Sequence, residues 1–171
     1  MKLVLAVARG LGSAPRPLAV LLGGLGSAAT IAALLWLQSA SQLQWLIPSF
    51  GASCALVFGV PDSPFARPAS VIGGHLVSSL VGLVTMAALG HGPLAMAVGV
   101  GCAIAAMMVT RTMHPPAGGD PLIVIATAAA PTFLLTPVLV GTIAISLAGF
   151  AFRHIRTRRP GGPIAIWCRP L

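Results

Sequence analysis

The sequence predicts an all-α, polytopic membrane helical bundle of six segments, arranged as a 3+3 inverted repeat with two short, interrupted helices. Composition, the lengths of the apolar runs and the placement of charges predict this class. Hydrophobic residues make up 57% of the 171 residues and charged residues 7%, whereas a soluble domain carries roughly a quarter charged residues. Two acids, Asp62 and Asp120, are too few for a soluble surface or for two-carboxylate hydrolase chemistry. We therefore expect no enzyme activity.

Apolar runs of two lengths alternate along the chain. A helix that crosses a bilayer needs about 20 apolar residues. Two shorter runs, Gly51–Val60 and Ala117–Ala130, each follow a stretch that contains Pro and Gly. Because such a run spans roughly 15–20 Å of a hydrocarbon core of about 30 Å, we expect it to begin or end inside the membrane. The four longer runs are Leu18–Leu37, Ser70–Leu89, Leu94–Thr110 and Phe133–Phe152.

The basic residues that give the chain its net charge of +8 lie at the ends of the apolar runs. If all six segments cross, every charged residue falls on one side, because loops 38–44, 90–93 and 131–132 contain none. The positive-inside rule makes the charged side cytoplasmic, with both termini inside. This pattern differs from a basic groove, so we expect no nucleic-acid partner. The predicted organisation is a basic cytoplasmic arm (1–16), a six-segment membrane domain (17–153) and a basic, Pro/Gly-rich cytoplasmic tail (154–171).

The two halves of the membrane domain share weak similarity. Both halves have the order long, short, long, and an odd number of segments per half makes the halves enter from opposite sides. That plan is an inverted repeat, as in many secondary transporters. The alternative is chance matching in a biased composition. Pro48, Gly51, Val57, Gly74 and Ser79 match Pro115, Gly118, Val124, Gly141 and Ser146 at a constant offset of 67.

Irregular backbone is predicted before each short helix, at 48–53 and 114–121. Pro lacks an N–H and Gly relieves crowding, and irregular backbone at membrane depth persists only when it is buried in protein or lines a wet cavity. Helix N-termini present free N–H groups and partial positive charge. We therefore predict an anion held at the two opposed N-termini; the alternative is a pair of Pro kinks without a ligand.

Ionisable side chains near these stretches are further candidates, because such residues inside a membrane are functional by default. His75 lies within the third segment, and His114 and Arg111 flank the second irregular stretch. A His can take up a proton; the alternatives are a neutral hydrogen-bonded ring for each His and a membrane anchor for Arg111. Asp120 is expected to cap the helix that starts at Pro121 or to pair with Arg111, and its charge opposes an anion site. The predicted substrate-binding residues are Ser49, Phe50, Gly51, Ser53, His75, Arg111, His114, Pro115, Pro116, Gly118 and Gly119.

The segment Arg111–Ile125, which contains His114-Pro115-Pro116, resembles the signature of the HPP family of integral membrane proteins. Ser49–His75 and Phe133–Gly141 resemble the same family in the right order. The resemblance implies a bacterial or organellar inner-membrane protein, and plastid and cyanobacterial members are associated with nitrite transport. This chain departs from the family at Asp120, where Asn is usual, and at Ser49, where Pro is usual.

These observations predict a permease for a small inorganic anion, with nitrite the best candidate, that works by alternating access in a bacterial inner membrane. The expected partners are the lipid bilayer and the anion, and a bundle this thin is compatible with a homo-oligomer. No cofactor or metal is expected, since no His/Cys cluster has metal-ligand spacing. The alternative functions are a passive anion channel and a non-transporting membrane scaffold subunit.

Overall fold

A computed structural model describes residues 17–157, and this part of the chain consists of helices joined by short connections such as 42–48 and 110–114. The predicted arm (1–16) and the part of the predicted tail from residue 158 onward lie outside the described residues. The last helix continues to Thr157, beyond the predicted end of the membrane domain at residue 153. The α-helices are α1 (Pro17–Ser41), α2 (Ser49–Gly59), α3 (Pro68–Leu89), α4 (Pro93–Val109), α5 (Asp120–Ala126) and α6 (Val140–Thr157).

Prolines and a glycine set several of the helix ends. Pro17, Pro68 and Pro93 are the first residues of α1, α3 and α4, where the missing N–H would have no intrahelical partner and the fixed φ suits a helix. Helix α3 ends before Gly90, whose φ of 78° is open to glycine at little steric cost. These short connections keep α3 and α4 side by side.

Within residues 17–157, three helical stretches are long and apolar enough to cross a membrane: Pro17–Ser41, Pro68–Leu89 and Pro131–Ile155. Ser49–Gly59 and Pro93–Val109 are shorter apolar helices. Large aliphatic side chains point outward from the bundle, as expected where lipid rather than water surrounds the protein. The all-α membrane fold is thereby confirmed, and the chain is a multi-pass membrane protein; the inverted repeat stays a prediction. Outward-facing side chains include Val20, Leu21, Leu25, Leu80, Val84, Leu94, Leu147 and Phe150.

The sixth segment differs from the continuous run predicted at Phe133–Phe152. It begins with a 3₁₀ turn at Pro131–Leu134 and a wide turn at Leu135–Leu139 before regular helix starts at Val140. Thr136 is extended, with φ −128° and ψ 123°. The cause is Pro137, which has no N–H to donate and disfavours helical backbone at the residue before it.

The second short run also differs from the predicted helix at Ala117–Ala130. Pro115–Gly119 forms a 3₁₀ turn, and only Asp120–Ala126 is α-helical. The adjacent prolines cannot donate backbone hydrogen bonds, which delays the helix. After α5 the chain turns through Ala128 at a φ of 49°.

Helix α3 is the centre of the bundle, packed against α4, α5 and α6 and against the turns that lead into them. Helix α2 packs against α1 and α6. Large apolar side chains from these helices, such as Leu34, Phe50, Val57 and Ile145, form the core. One face of α3 is different, because apart from Val71 its buried residues are small or polar: Ser70, Gly74, His75, Ser78, Ser79, Gly82 and Thr85.

Candidate functional site

The polar face of α3 arises from helical spacing. His75, Ser78, Ser79 and Gly82 follow one another at intervals of three or four residues, or adjoin such a position, so they share one side of the helix. All three polar side chains are fully buried. Gly82 lets the second irregular stretch approach closely, since a Cβ there would lie 2.9 Å from Pro121 Cα. The face therefore lies directly against the segment that leads into α5.

His114 reaches this face because it precedes two prolines. Its backbone is extended, with φ −136° and ψ 98°, as expected for a residue before Pro. The ring is fully buried, and its Nδ1 lies 2.8 Å from the carbonyl oxygen of Phe65. Phe65 belongs to the 3₁₀ turn Pro64–Ala66 between α2 and α3. The imidazole thus bridges the turn and the bundle interior.

Asp120, the first residue of α5, is also fully buried. Its Oδ1 accepts a hydrogen bond from Ser49 Oγ at 2.7 Å. Its Oδ2 lies 2.6 Å from His75 Nδ1 and accepts a longer bond of 3.2 Å from Ser79 Oγ. The partners of the carboxylate are thus side chains of α2 and α3 rather than a backbone N–H at the start of α5, and the basic side chain beside it is His75 rather than Arg111.

Ser53 joins the two imidazoles. Its Oγ lies 2.8 Å from His75 Nε2 and 2.9 Å from His114 Nε2, and it also donates to the Ser49 carbonyl at 3.1 Å. The side chains of Asp120, His75, Ser53 and His114 therefore form one continuous line of hydrogen bonds, which we call the histidine chain. All four side chains have no solvent exposure.

Apolar packing holds the histidine chain in place. The edge of the His75 ring meets Phe50 in a T-shaped contact with 5.3 Å between centroids. Phe50 in turn packs so closely on Gly141 of α6 that a Cβ at Gly141 would overlap the ring. Close by, Ser78 Oγ donates to the Ala117 carbonyl at 2.6 Å, a bond that ties α3 to the 3₁₀ turn and lies outside the chain.

The structure brings some of the predicted site residues together and leaves others apart. Those that the structure brings together at the histidine chain are Ser49, Phe50, Ser53, His75 and His114. Pro115 and Pro116 line a cleft of about 480 Å³ together with Ala52, Ala55, Leu56 and Val60. Gly118 and Gly119 are half-buried in the 3₁₀ turn, while Gly51 and Arg111 are exposed and contribute nothing to the chain.

Backbone N–H groups near the starts of α2 and α5 already donate to carbonyls of the protein itself. The N–H groups of Phe50 and Gly51 donate to the carbonyls of Ile47 and Pro48, at 3.0 and 3.2 Å, and that of Asp120 donates to Ala117. Instead of a backbone cradle that is open to a ligand, the region where α2 and α5 begin holds the chain's own carboxylate. This arrangement differs from the predicted anion site between two helix N-termini.

Asp120, Ser79 and the Phe65 carbonyl were missing from the predicted site. The signals for Asp120 and Ser79 were present: a carboxylate beside an apolar run is a functional candidate, and Ser79 follows His75 at helical spacing. Nothing local indicates the Phe65 carbonyl, which meets His114 from 49 residues away. Among residues 17–157, no group of three His, Cys, Asp or Glu side chains is placed to hold a metal ion.

The fold and this site define a polytopic membrane protein with a buried line of ionisable side chains. Comparison with known families agrees, because the family model described as "HPP, transmembrane region" matches residues 13–161. The chain belongs to the HPP family.

Two curated transmembrane proteins of Dictyostelium discoideum are similar to this chain. One is 34% identical over 127 residues, which are 70% of this chain and 45% of the relative. The other is 32% identical over 123 residues, which are 67% of this chain and 40% of the relative. The chain thus spans less than half the length of the curated relatives it matches. No solved structure matches it.

Proposed function

We propose that this protein is a permease for a small inorganic anion in a bacterial inner membrane, with nitrite as the first candidate. One observation carries the proposal: the histidine chain is fully buried within a membrane domain. Ionisable side chains inside a bilayer are costly, and they typically line substrate or proton pathways. The resemblance of the His114-Pro115-Pro116 segment to the HPP signature supplies the substrate class.

The depth of the histidine chain supports this role. His75 lies seven residues and Ser79 eleven residues after Pro68, the first residue of α3. At 1.5 Å per residue, these positions are roughly 10 and 16 Å along the helix. In a hydrocarbon core of about 30 Å, His75 would lie about one third of the way across, and Ser79, which donates to Asp120, near the midplane. Secondary transporters bind their substrates near that depth.

The chemistry of the chain suits an anion that travels with a proton. An anion that leaves water needs compensating hydrogen bonds and charge. A protonated imidazole supplies both, and His is the side chain whose charge changes most readily near neutral pH. His114 directly precedes Pro115 and Pro116, which line the cleft, and under this proposal an anion approaches the ring from the cleft when the buried chain opens.

Alternating access would require the buried chain to open. The irregular segments at Pro115–Gly119 and Pro131–Leu139 interrupt the helices on either side of α5, and such interruptions are where transporter helices bend. The predicted movement is a rocking of one three-segment half against the other, with the histidine chain at the boundary.

The test is anion uptake into proteoliposomes that contain the purified, folded protein, with labelled nitrite as substrate and nitrate, formate and chloride as competitors. Saturable uptake of labelled nitrite, inhibited more strongly by unlabelled nitrite than by nitrate, formate or chloride, would support the permease. Uptake that rises without saturation would make the protein a passive channel. No flux of any of these anions would refute the proposal.

A scaffold role is the second candidate, because every polar side-chain atom of the histidine chain has a partner. Within the described residues, the buried polar atom without a partner is Ser146 Oγ, on α6 and outside the chain. A fully satisfied polar network can serve to fix a unique packing. Under this role, substitutions in the chain would change assembly or stability and no anion flux would be measured.

A further inference from the structure

The hydrogen bonds of the histidine chain determine how many protons it holds. At one end, His114 Nδ1 faces the Phe65 carbonyl. Because a carbonyl oxygen only accepts hydrogen bonds, Nδ1 carries a proton. In a neutral ring, Nε2 then bears a lone pair and must accept a hydrogen bond from Ser53.

At the other end, the Asp120 carboxylate accepts bonds from Ser49 and Ser79 and lies 2.6 Å from His75 Nδ1. If Asp120 is ionised and His75 is neutral, Nδ1 of His75 donates and its Nε2 also bears a lone pair. The Ser53 hydroxyl, with one hydrogen, would then face three acceptors: two imidazole nitrogens and the Ser49 carbonyl. Two of the contacts would have no proton between them.

The buried charge also indicates that a proton is missing. With Asp120 ionised and both rings neutral, the histidine chain would bury one net negative charge, which is strongly unfavourable at membrane depth. The basic residues that flank the elements around it in sequence, Arg67 before α3 and Arg111 after α4, are exposed. No cation among the described residues pairs with Asp120 other than His75.

One additional proton removes the net charge and fills both contacts between Ser53 and the imidazoles. On His75 Nε2 it donates to Ser53, whose own hydrogen then donates to His114 Nε2 in place of the longer contact with the Ser49 carbonyl, and the pair of Asp120 and imidazolium is neutral overall. We propose that Asp120, His75, Ser53 and His114 form a proton relay that holds this one additional proton. In this resting state His75 is an imidazolium beside an ionised Asp120.

Transfer of the proton along the relay needs only the side chains of His75, Ser53 and His114. The N–H bond at His75 Nε2 breaks as Ser53 Oγ takes the proton, and the original Ser53 hydrogen passes to His114 Nε2. The N–O separations of 2.8 and 2.9 Å are already hydrogen-bond distances. After the transfer, His114 is the imidazolium and His75 is neutral, with no change in total charge.

Coupling to an anion follows, and this step rests on the proposed function. A second additional proton would fill the contact with the Ser49 carbonyl as well, since Ser53 would accept from both rings and donate to Ser49. It would place two positive rings 5.1 Å apart at their centroids, which repel each other. A bound anion would offset that charge, so one proton is expected to travel with each anion.

The proton count is tested by solid-state NMR of the full chain in lipid bilayers, with ¹⁵N-labelled histidine, at about pH 8.5, above the range in which imidazole ordinarily titrates. We expect one histidine with both ring nitrogens protonated. Asp120→Asn should abolish that signal, because the amide can donate to Nδ1 of a neutral His75. A wild-type spectrum with only neutral rings would overturn the relay, as would an imidazolium that survives in Asp120→Asn.

Proton movement is tested in proteoliposomes loaded with a pH-sensitive dye, with an inward nitrite gradient and protein-free liposomes as background. Ser53→Ala should slow proton entry roughly tenfold or more, since it removes the bridging hydroxyl. Ser78→Ala is the matched control: it deletes an equally buried hydroxyl outside the relay and should keep near-wild-type proton entry. Wild-type proton entry by Ser53→Ala would overturn the relay.

The NMR spectrum and the nitrite uptake assay together distinguish failure of the relay from failure of the permease. An imidazolium in the spectrum without any anion flux would uphold the proton count and refute the permease. Saturable nitrite uptake with only neutral rings in the spectrum would uphold the permease and refute the relay.

Discussion

A methyl group at Gly74 is expected to push His114 out of the histidine chain. An ideal Cβ at Gly74 would lie 2.7 Å from His114 Cβ and 2.8 Å from the Thr112 carbonyl oxygen. Carbon atoms in ordinary contact are about 3.5–4.0 Å apart, so Gly74→Ala requires a displacement of roughly 0.8 Å or more. The obstructing atoms are backbone or directly attached to it, so residues 112–114 must move together. A shift of that size, directed away from α3, would stretch the bond of 2.9 Å between His114 and Ser53 beyond hydrogen-bond range.

The expected loss is about 1–3 kcal/mol of the free energy of unfolding, the usual effect of overpacking a tight interior. Gly101→Ala is the matched control, because Gly101 lies inside α4 and nothing lies within 4 Å of a Cβ built there. Both variants gain the same helix propensity, about 1 kcal/mol. Their difference therefore isolates the contact with His114.

Reversible unfolding in mixed detergent micelles, followed by circular dichroism, measures this difference. Gly74→Ala should be less stable than Gly101→Ala by about 1–3 kcal/mol and should take up nitrite more slowly. Equal stability of the two variants would refute the close packing of α3 on the His114 segment.

Two further predictions concern the buried carboxylate and the topology. Asp120→Ala should lower the free energy of unfolding by about 3–5 kcal/mol, because it leaves His75 and two serines without their partner, whereas Asp120→Asn should cost less; equal losses in the same unfolding assay would contradict the hydrogen-bond assignment. In a cysteine-free background, a cysteine introduced within 38–44 should react with an impermeant thiol reagent added outside the cell and one at position 65 should not, and the reverse labelling would overturn the topology.

Most of the helices could be predicted from the sequence, since length and hydropathy decide them. The predicted runs Leu18–Leu37, Ser70–Leu89 and Leu94–Thr110 match α1, α3 and α4 to within a few residues, because the bilayer thickness limits the length of a spanning helix. The broken sixth segment was missed. Its composition is uniformly apolar, and one proline, Pro137, decides the backbone there.

The candidate site could be predicted only in part. His75 and His114 are recognisable because ionisable side chains are rare in apolar segments. The sequence does not indicate that the two rings meet through Ser53, because this residue is 22 and 61 positions away from them along the chain. Asp120 was interpreted through its neighbours along the chain, as a cap or a partner of Arg111, whereas packing of α3 on α5 decides its partners.

The most direct test of the central claim compares nitrite uptake by wild-type protein, His114→Ala and His91→Ala, all reconstituted at equal amounts of folded protein. His91 provides the matched control, because its Nδ1 lies 3.2 Å from the Ile125 carbonyl at the opposite end of α3 from the turn Pro64–Ala66, outside the histidine chain. We predict that His114→Ala slows uptake roughly tenfold or more while His91→Ala retains it. Unchanged uptake by His114→Ala, or equal losses in both variants, would contradict a role for the histidine chain in transport.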